Sequence, residues 1–153
     1  MSDKYTYRIL TPADVELIYD FFIEIDNMFP ESISSRVDVK NHVKKIINLG
    51  IAIVAVDNNR IIGIVTGYVN DTKNNQAFLS TLCVINEYQR KGVAQNLLLL
   101  FTECEIKEAM HSILLYTDPR NEKAILFYQK NGFVRHSDCS YNDVHVYFLK
   151  SII

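Results

Sequence analysis

Cysteine, proline and glycine are scarce in this chain, with 3, 3 and 5 among 153 residues, and each shortage removes a class of protein. Cys83, Cys104 and Cys139 are an odd set with no C-x-x-C pair, which argues against a disulfide-stapled scaffold and for a reducing, cytoplasmic setting. No linker, internal repeat or low-complexity tract interrupts the sequence, so one domain over residues 1–153 is expected, large enough to bury about two-thirds of its unfolded surface. No apolar run approaches the length of a membrane span, and the opening MSDKYTYRIL has no apolar signal core, so no membrane partner is expected. An excess of charge is lacking too. Sixteen Lys and Arg against 18 Asp and Glu leave a net −2, which gives no general pull toward nucleic acid or anionic lipid. Any contact with a polyanion must be local.

What is present is an alternation of short β-branched runs and amphipathic stretches. Tyr5 to Leu10 reads as a first strand, and Thr11-Pro12-Ala13-Asp14 as a helix start with a hydroxyl cap, proline in the first turn and a carboxylate at the positive dipole end. Val15, Leu17, Ile18, Phe21, Phe22 and Ile25 then form one broad face. Asn27 to Arg36 reads as a loop, and Val37 to Leu49 as a second helix with Val39, Val43, Ile46 and Ile47 inward and Gly50 as its stop. Ile51 to Val56 and Ile61 to Val69 around Asp57-Asn58-Asn59-Arg60 predict a hairpin, and Gln76 to Val84 a fourth strand. A long helix over Ala94 to Ala109 buries Leu97, Leu98, Leu100, Phe101, Cys104 and Ile106, and a crossover makes Ser112 to Thr117 parallel to the fourth strand. Glu122 to Asn131, stopped by Gly132, is the last helix, and Val134 to Cys139 with Asp143 to Lys150 the closing hairpin. The final strand, Val144 to Leu149, and the tail Ile152-Ile153 would offer an edge to a second subunit, which favours a homodimer.

The chain is organised around Leu82 to Leu100, an apolar run, a polar turn with one glycine, then an apolar helix-like run. A helix begun there has first-turn N–H groups without internal partners, and with the dipole they make an anion site. Gly92 lets backbone approach a bulky guest, Ala94 stays small, and Gln89, Arg90 and Lys91 add donors and positive charge. A diphosphate is the natural guest.

The spacing Gln89-Arg90-Lys91-Gly92-Val93-Ala94 resembles the coenzyme A signature Q/R-x-x-G-x-G/A of the GNAT superfamily of N-acetyltransferases. Asn121 to Phe133, NEKAILFYQKNGF, resembles the same superfamily's N-x-x-A-x-x-x-Y-x-x-x-G-F element, and two ordered blocks are far more specific than one. The resemblance implies an α+β fold of three layers, a mixed and mostly antiparallel central sheet with helices on both faces and a splayed parallel strand pair. It implies acetyl-CoA as cosubstrate, held by Leu82, Cys83, Val84, Gln89, Arg90, Lys91, Gly92, Val93, Ala94, Gln95, Asn121, Phe127 and Tyr128. It further implies that the Leu82 N–H donates to the acetyl oxygen and that Tyr128 is the general acid for the departing thiolate.

The acceptor is less legible. A small primary amine is the first expectation, a protein N-terminal or lysine amine the second, and a non-catalytic coenzyme A sensor the rival of another class. Some members carry a glutamate base where this chain has Phe78, so the base is unassigned and ordered water is favoured. Asp26, Glu31 and Asp71 border the expected mouth but read as solvated charges, and Phe22, Phe29, Tyr68 and Tyr141 are candidates for its wall. His42, His111, His136 and His145 lack metal-ligand spacing, and no metal is expected.

Overall fold

The computed structural model describes residues 4–30, 32–36, 38–71, 73–136 and 146–152. In chain order the elements are β1 (Thr6–Ile9), α1 (Val15–Ile25), α2 (Ile33–Arg36), α3 (Val39–Leu49), β2 (Gly50–Asp57), β3 (Arg60–Asp71), β4 (Gln76–Val84), α4 (Val93–Lys107), β5 (Ser112–Thr117), α5 (Glu122–Lys130), β6 (Val134–Arg135) and β7 (Val146–Ser151). The strands form one sheet in the order β1-β2-β3-β4-β5-β7-β6, antiparallel except for β4 against β5. The expected α+β architecture and its parallel pair are both there.

Alternation along β3 assigns the layers. Gly67 faces α4, since a Cβ there would overlap the Phe101 ring, whereas the next residue, Tyr68, has the Lys45 ammonium of α3 over its ring at 4.5 Å. Helices α1 and α3 therefore cover one face and α4 the other. The inner stripes are Ile18, Phe21, Phe22 and Ile25 from α1, Val39, Val43 and Ile46 from α3, and Val93, Leu97, Leu98 and Phe101 from α4, all buried.

One distortion positions the site. Thr66 pairs with Thr81 but Gly67 with Leu79, so Ser80 is an extra residue in β4. A bulge bends its strand and increases the local twist. Pairing of β4 with β5 ends at Phe78 opposite Leu114, two residues before that bulge, although both strands continue. The pair splays from there, as the family resemblance implied.

Several local expectations are corrected. Leu17 is 45 % and Ile106 49 % exposed, each one position off a buried stripe. The Asn27 to Arg36 segment is not all loop, because the Asp26 carboxylate accepts from the Ser34 N–H at 2.8 Å and hydroxyl at 2.6 Å and organises α2. The second helix starts at Val39, with the Asp38 carboxylate accepting from Asn41 N–H. Gly50 does stop α3, as its C-cap with its N–H donating to the Ile46 carbonyl, but it is extended, at φ −137°, and also opens β2; a Cβ on it would overlap the Gly67 carbonyl. Finally, β7 is not an edge. It lies between β5 and β6, so the strand argument for a homodimer fails. Among the described residues the closing hairpin has Val134–Arg135 and Val146–Ser151 as strand, and the rest of the expected hairpin, residues 137–145, lies outside the described chain.

Candidate active site

The turn before α4 is built by two left-handed residues, Arg90 at φ +63° and Gly92 at φ +84°. For Arg90 that conformation is uncommon; for Gly92 it is free of steric cost. Gly92 is the N-cap of α4 and makes no side-chain cap, while the first intrahelical bond runs from Asn96 N–H to the Gly92 carbonyl at 3.0 Å. The amides of Val93, Ala94 and Gln95 thus face outward without helical acceptors, and a Cβ built on Gly92 meets nothing within 4 Å. This is a backbone cradle for an anion beside open space.

The turn is held from three sides. Gln89 Nε2 donates to the Val84 carbonyl at 2.8 Å and to Asn86 Oδ1 at 3.2 Å. Tyr88 donates its hydroxyl to the Asp57 carboxylate at 2.7 Å, tying the turn to the β2–β3 hairpin. Gln95 Nε2 donates to Asn131 Oδ1 at 2.7 Å, tying it to the end of α5.

Above this cradle lies a cleft of about 800 Å³, lined among others by Met28, Leu82 to Val84, Arg90, Gly92 to Gln95, Phe127 and Tyr128. A second, narrow cavity of about 80 Å³ opens from the splayed strands, with Ser80, Thr81, Tyr116, Thr117 and Asp118 in its wall. Phe29, Leu82, Asn121, Ala124 and Tyr128 line both. The two spaces converge on Leu82 and Tyr128.

At that junction Tyr128 is 7 % exposed, wedged edge-on between Phe127 and Phe133 at centroid distances of 5.6 and 5.5 Å. Burial pushes its phenol well above the ordinary value, with the neighbouring Cys83 adding to the rise. Cys83, 3.9 Å from the Met28 sulfur, is buried and its thiol is pushed up to about 12, also by burial. A thiol so held is neutral and no nucleophile. Asn121 caps α5, its Oδ1 accepting from Ala124 N–H at 3.3 Å, and still lines both spaces.

Of the residues expected to hold the cosubstrate, Leu82, Cys83, Val84, Gln89, Arg90, Gly92, Val93, Ala94, Gln95, Asn121, Phe127 and Tyr128 line the large cleft. Lys91 is exposed with its ammonium 6.0 Å over the Tyr88 ring, and it is not among the lining residues. Of the acceptor candidates, Phe29 is in place, but Phe22 is fully buried in the core. Asp26 is committed to Ser34, which holds its carboxyl below the usual range. Glu31, Tyr141 and the side chain of Asp71 lie outside the described chain. Phe78, where a glutamate base would sit, packs between the Tyr68 and Tyr116 rings. Asp118 was missed: it is 8 % exposed, walls the narrow cavity and takes Arg120 Nη2 at 2.6 Å and Nε at 2.9 Å. The Asp118-Pro119 pair after β5 is a turn signal that marks it.

The cradle and the splay suit a nucleotide-linked acyl thioester: unpaired amides for the diphosphate, a long cleft for the arm, and unpaired sheet edges for its amides. That arrangement defines a coenzyme A-dependent acyltransferase class. The chain belongs to the acetyltransferase (GNAT) family, whose model matches residues 18–133 and whose members use acetyl-CoA. It is 30 % identical over 98 residues to N-alpha-acetyltransferase 30 of Schizosaccharomyces pombe, a match that spans 63 % of this chain and 62 % of that protein. In fold it is similar to a GNAT-family acetyltransferase of Staphylococcus aureus Mu50, with a TM-score of 0.80 at 19 % identity over 97 % of this chain and 99 % of that one. It is also similar to the PaiA N-acetyltransferase of Thermoplasma acidophilum solved in complex with coenzyme A, with a TM-score of 0.73 at 18 % identity over 99 % of each chain.

Proposed function

We propose that the chain transfers the acetyl group of acetyl-CoA to a small primary amine by direct attack within a ternary complex. The observation that carries this reading is the convergence of a large cleft and a narrow cavity on Leu82 and Tyr128. Donor and acceptor entering from the two spaces would meet there, as proximity catalysis needs.

The residues then divide the work. Amides of Val93, Ala94 and Gln95 hold the diphosphate, and Arg90 adds charge at the same wall. The Leu82 N–H donates to the acetyl oxygen as it gains negative charge, which stabilises the transition state more than the ground state. Tyr128 gives its proton to the departing sulfur. A phenol raised above its ordinary value by burial is a weak acid, so the proton transfer is concerted with cleavage of the C–S bond. The acceptor's own proton leaves by water along the hydroxyl-lined narrow cavity, past Ser80, Thr81 and Thr117.

The similarity to an N-alpha-acetyltransferase supports a second reading, a protein N-terminal amine as acceptor. One experiment addresses both. A panel of small amines and short peptides is incubated with acetyl-CoA and the released thiol is measured. Turnover of small amines carries the first reading, turnover of peptides alone the second, and coenzyme A binding with no turnover of any amine leaves only a sensor.

A further inference from the structure

Among the described residues, the five that line both spaces at their junction are not held in the same way. Leu82 belongs to β4, and Asn121, Ala124 and Tyr128 to α5 and its cap, so four are set by the frame of sheet and helix. Phe29 is the exception. It follows the 3-10 turn Asp26–Met28 in extended backbone, at φ −100° and ψ 152°, and reaches the junction from outside that frame. Its segment is fixed on both sides. The Asp26 carboxylate accepts from the Ser34 N–H at 2.8 Å and from the Ser34 hydroxyl at 2.6 Å, which clips together residues before and after Phe29. The Met28 sulfur lies 3.9 Å from Cys83 Sγ of β4, and Ile33, in the wall of the narrow cavity, is 3 % exposed. Phe29 itself is half-buried.

From this we infer that Phe29 sets how long an acyl group the donor can carry, restricting transfer to two carbons, and that the clip between Asp26 and Ser34 positions it. The inference rests on the acetyl-transfer reading above, which puts the acyl carbon at the Leu82 N–H, and it adds a selection among donors. The reaction itself is unchanged: the amine nitrogen bonds the acyl carbon, the C–S bond breaks, Tyr128 protonates the sulfur and water takes the amine's proton. With the pantetheine arm in the large cleft behind the sulfur, an acyl chain can lengthen only across the junction. Each added carbon is one more bond of about 1.5 Å, and the narrow cavity beyond belongs to the acceptor. A butyryl chain must therefore displace the Phe29 ring or stand where the amine should enter, and either lowers the rate. Leu82 and Tyr128 act in the reaction, Asn121 caps α5, and Ala124 is already small. Phe29 is the wall whose bulk sets the limit.

The test compares acetyl-, propionyl- and butyryl-CoA as donors, with the fastest amine of the panel above as acceptor and thiol release as the readout. The wild type's kcat/KM should fall by about 10-fold or more for each added carbon. Phe29→Ala should raise the butyryl-to-acetyl ratio at least roughly tenfold, and Phe29→Leu the propionyl-to-acetyl ratio, while Phe29→Tyr, which keeps the ring, should change neither. Each variant is its own reference, because a loss of folded protein lowers all three donors alike and leaves their ratios unchanged. Asp26→Ala, with Phe29 untouched, should shift the ratios in the same direction as Phe29→Ala; a lower melting temperature with unchanged ratios overturns the positioning role. Equal use of acetyl- and butyryl-CoA by the wild type overturns the inference and leaves acyl transfer standing, as do unchanged ratios in both Phe29→Ala and Phe29→Leu. No thiol release from any donor with any amine of the panel overturns the transfer reading and this inference with it.

Discussion

Tyr128 owes its proposed role to placement more than to acidity. Its phenol is the hydroxyl at the junction of both spaces, and burial keeps it protonated across the neutral range. Replacing it with phenylalanine keeps the packing against Phe127 and Phe133 and removes only the hydroxyl. The expected result is a fall in kcat of about 100-fold or more with coenzyme A affinity nearly unchanged, read from steady-state rates and calorimetric titration. Glu105 is a different kind of residue, structural and uncomfortable. It is 3 % exposed, its Oε2 has no partner, and burial with the nearby Glu108 charge lifts its carboxyl to about 7. The unfolded chain releases that proton near 4.5, so between these values the folded state binds more protons. Its contribution is fully present below about pH 4.5 and is lost as pH rises through about 7, costing at most about 3 kcal/mol. Asp14 and Asp26, held low by their hydrogen bonds, act in the opposite sense and only in acid. Glu105→Gln should therefore be more stable than wild type at pH 8 and lose most of the decline between pH 5 and 8 in urea unfolding.

The elements around the diphosphate cradle show what a sequence can and cannot carry. Gly92, at φ +84° beside open space, is a local requirement and was legible from its place between an apolar strand and an apolar helix. Gly92→Ala should lower stability by about 1–2 kcal/mol through the left-handed conformation alone, because its Cβ meets no protein atom. It should also weaken coenzyme A by at least roughly tenfold, since the methyl enters the space the diphosphate needs. Equal coenzyme A affinity in the variant would place the diphosphate elsewhere. The limits of β4, Gln76–Val84, and the block from Asn121 to Gly132 were legible for the same reason: their signals are sequential. The clamp between Tyr88 and Asp57 was not, because its partners are 31 positions apart and meet only when β3 pairs with both β2 and β4. Glu105 could have been found, since Leu97, Phe101 and Glu105 follow one another at intervals of four on a single helical stripe. Its polarity drew the reading to Ile106, which faces out. The order of β5, β7 and β6 lies beyond any local pattern, as it depends on which strand a returning chain pairs with.

At the scale of the whole molecule, the sheet is continuous on one side and parted on the other. From β1 to β4 every neighbour is paired along most of its length, whereas β4 and β5 share only Gln76 to Phe78 against Ser112 to Leu114. The parted segment has lost a ladder of backbone bonds that its burial would normally demand. A pantetheine arm between the strands would restore part of that ladder and join the β1–β4 half to the β5–β7 half. A ligand that binds only the folded chain stabilises it by about 2.7 kcal/mol at a hundred times its dissociation constant, a rise of roughly 2–8 °C in melting temperature. The location of the effect separates this account from simple mass action. Amide exchange should slow most over residues 79–84, 93–95 and 115–117, and far less along the fully paired β2 and β3. Uniform slowing across all seven strands would mean that the splay is not where the arm lies.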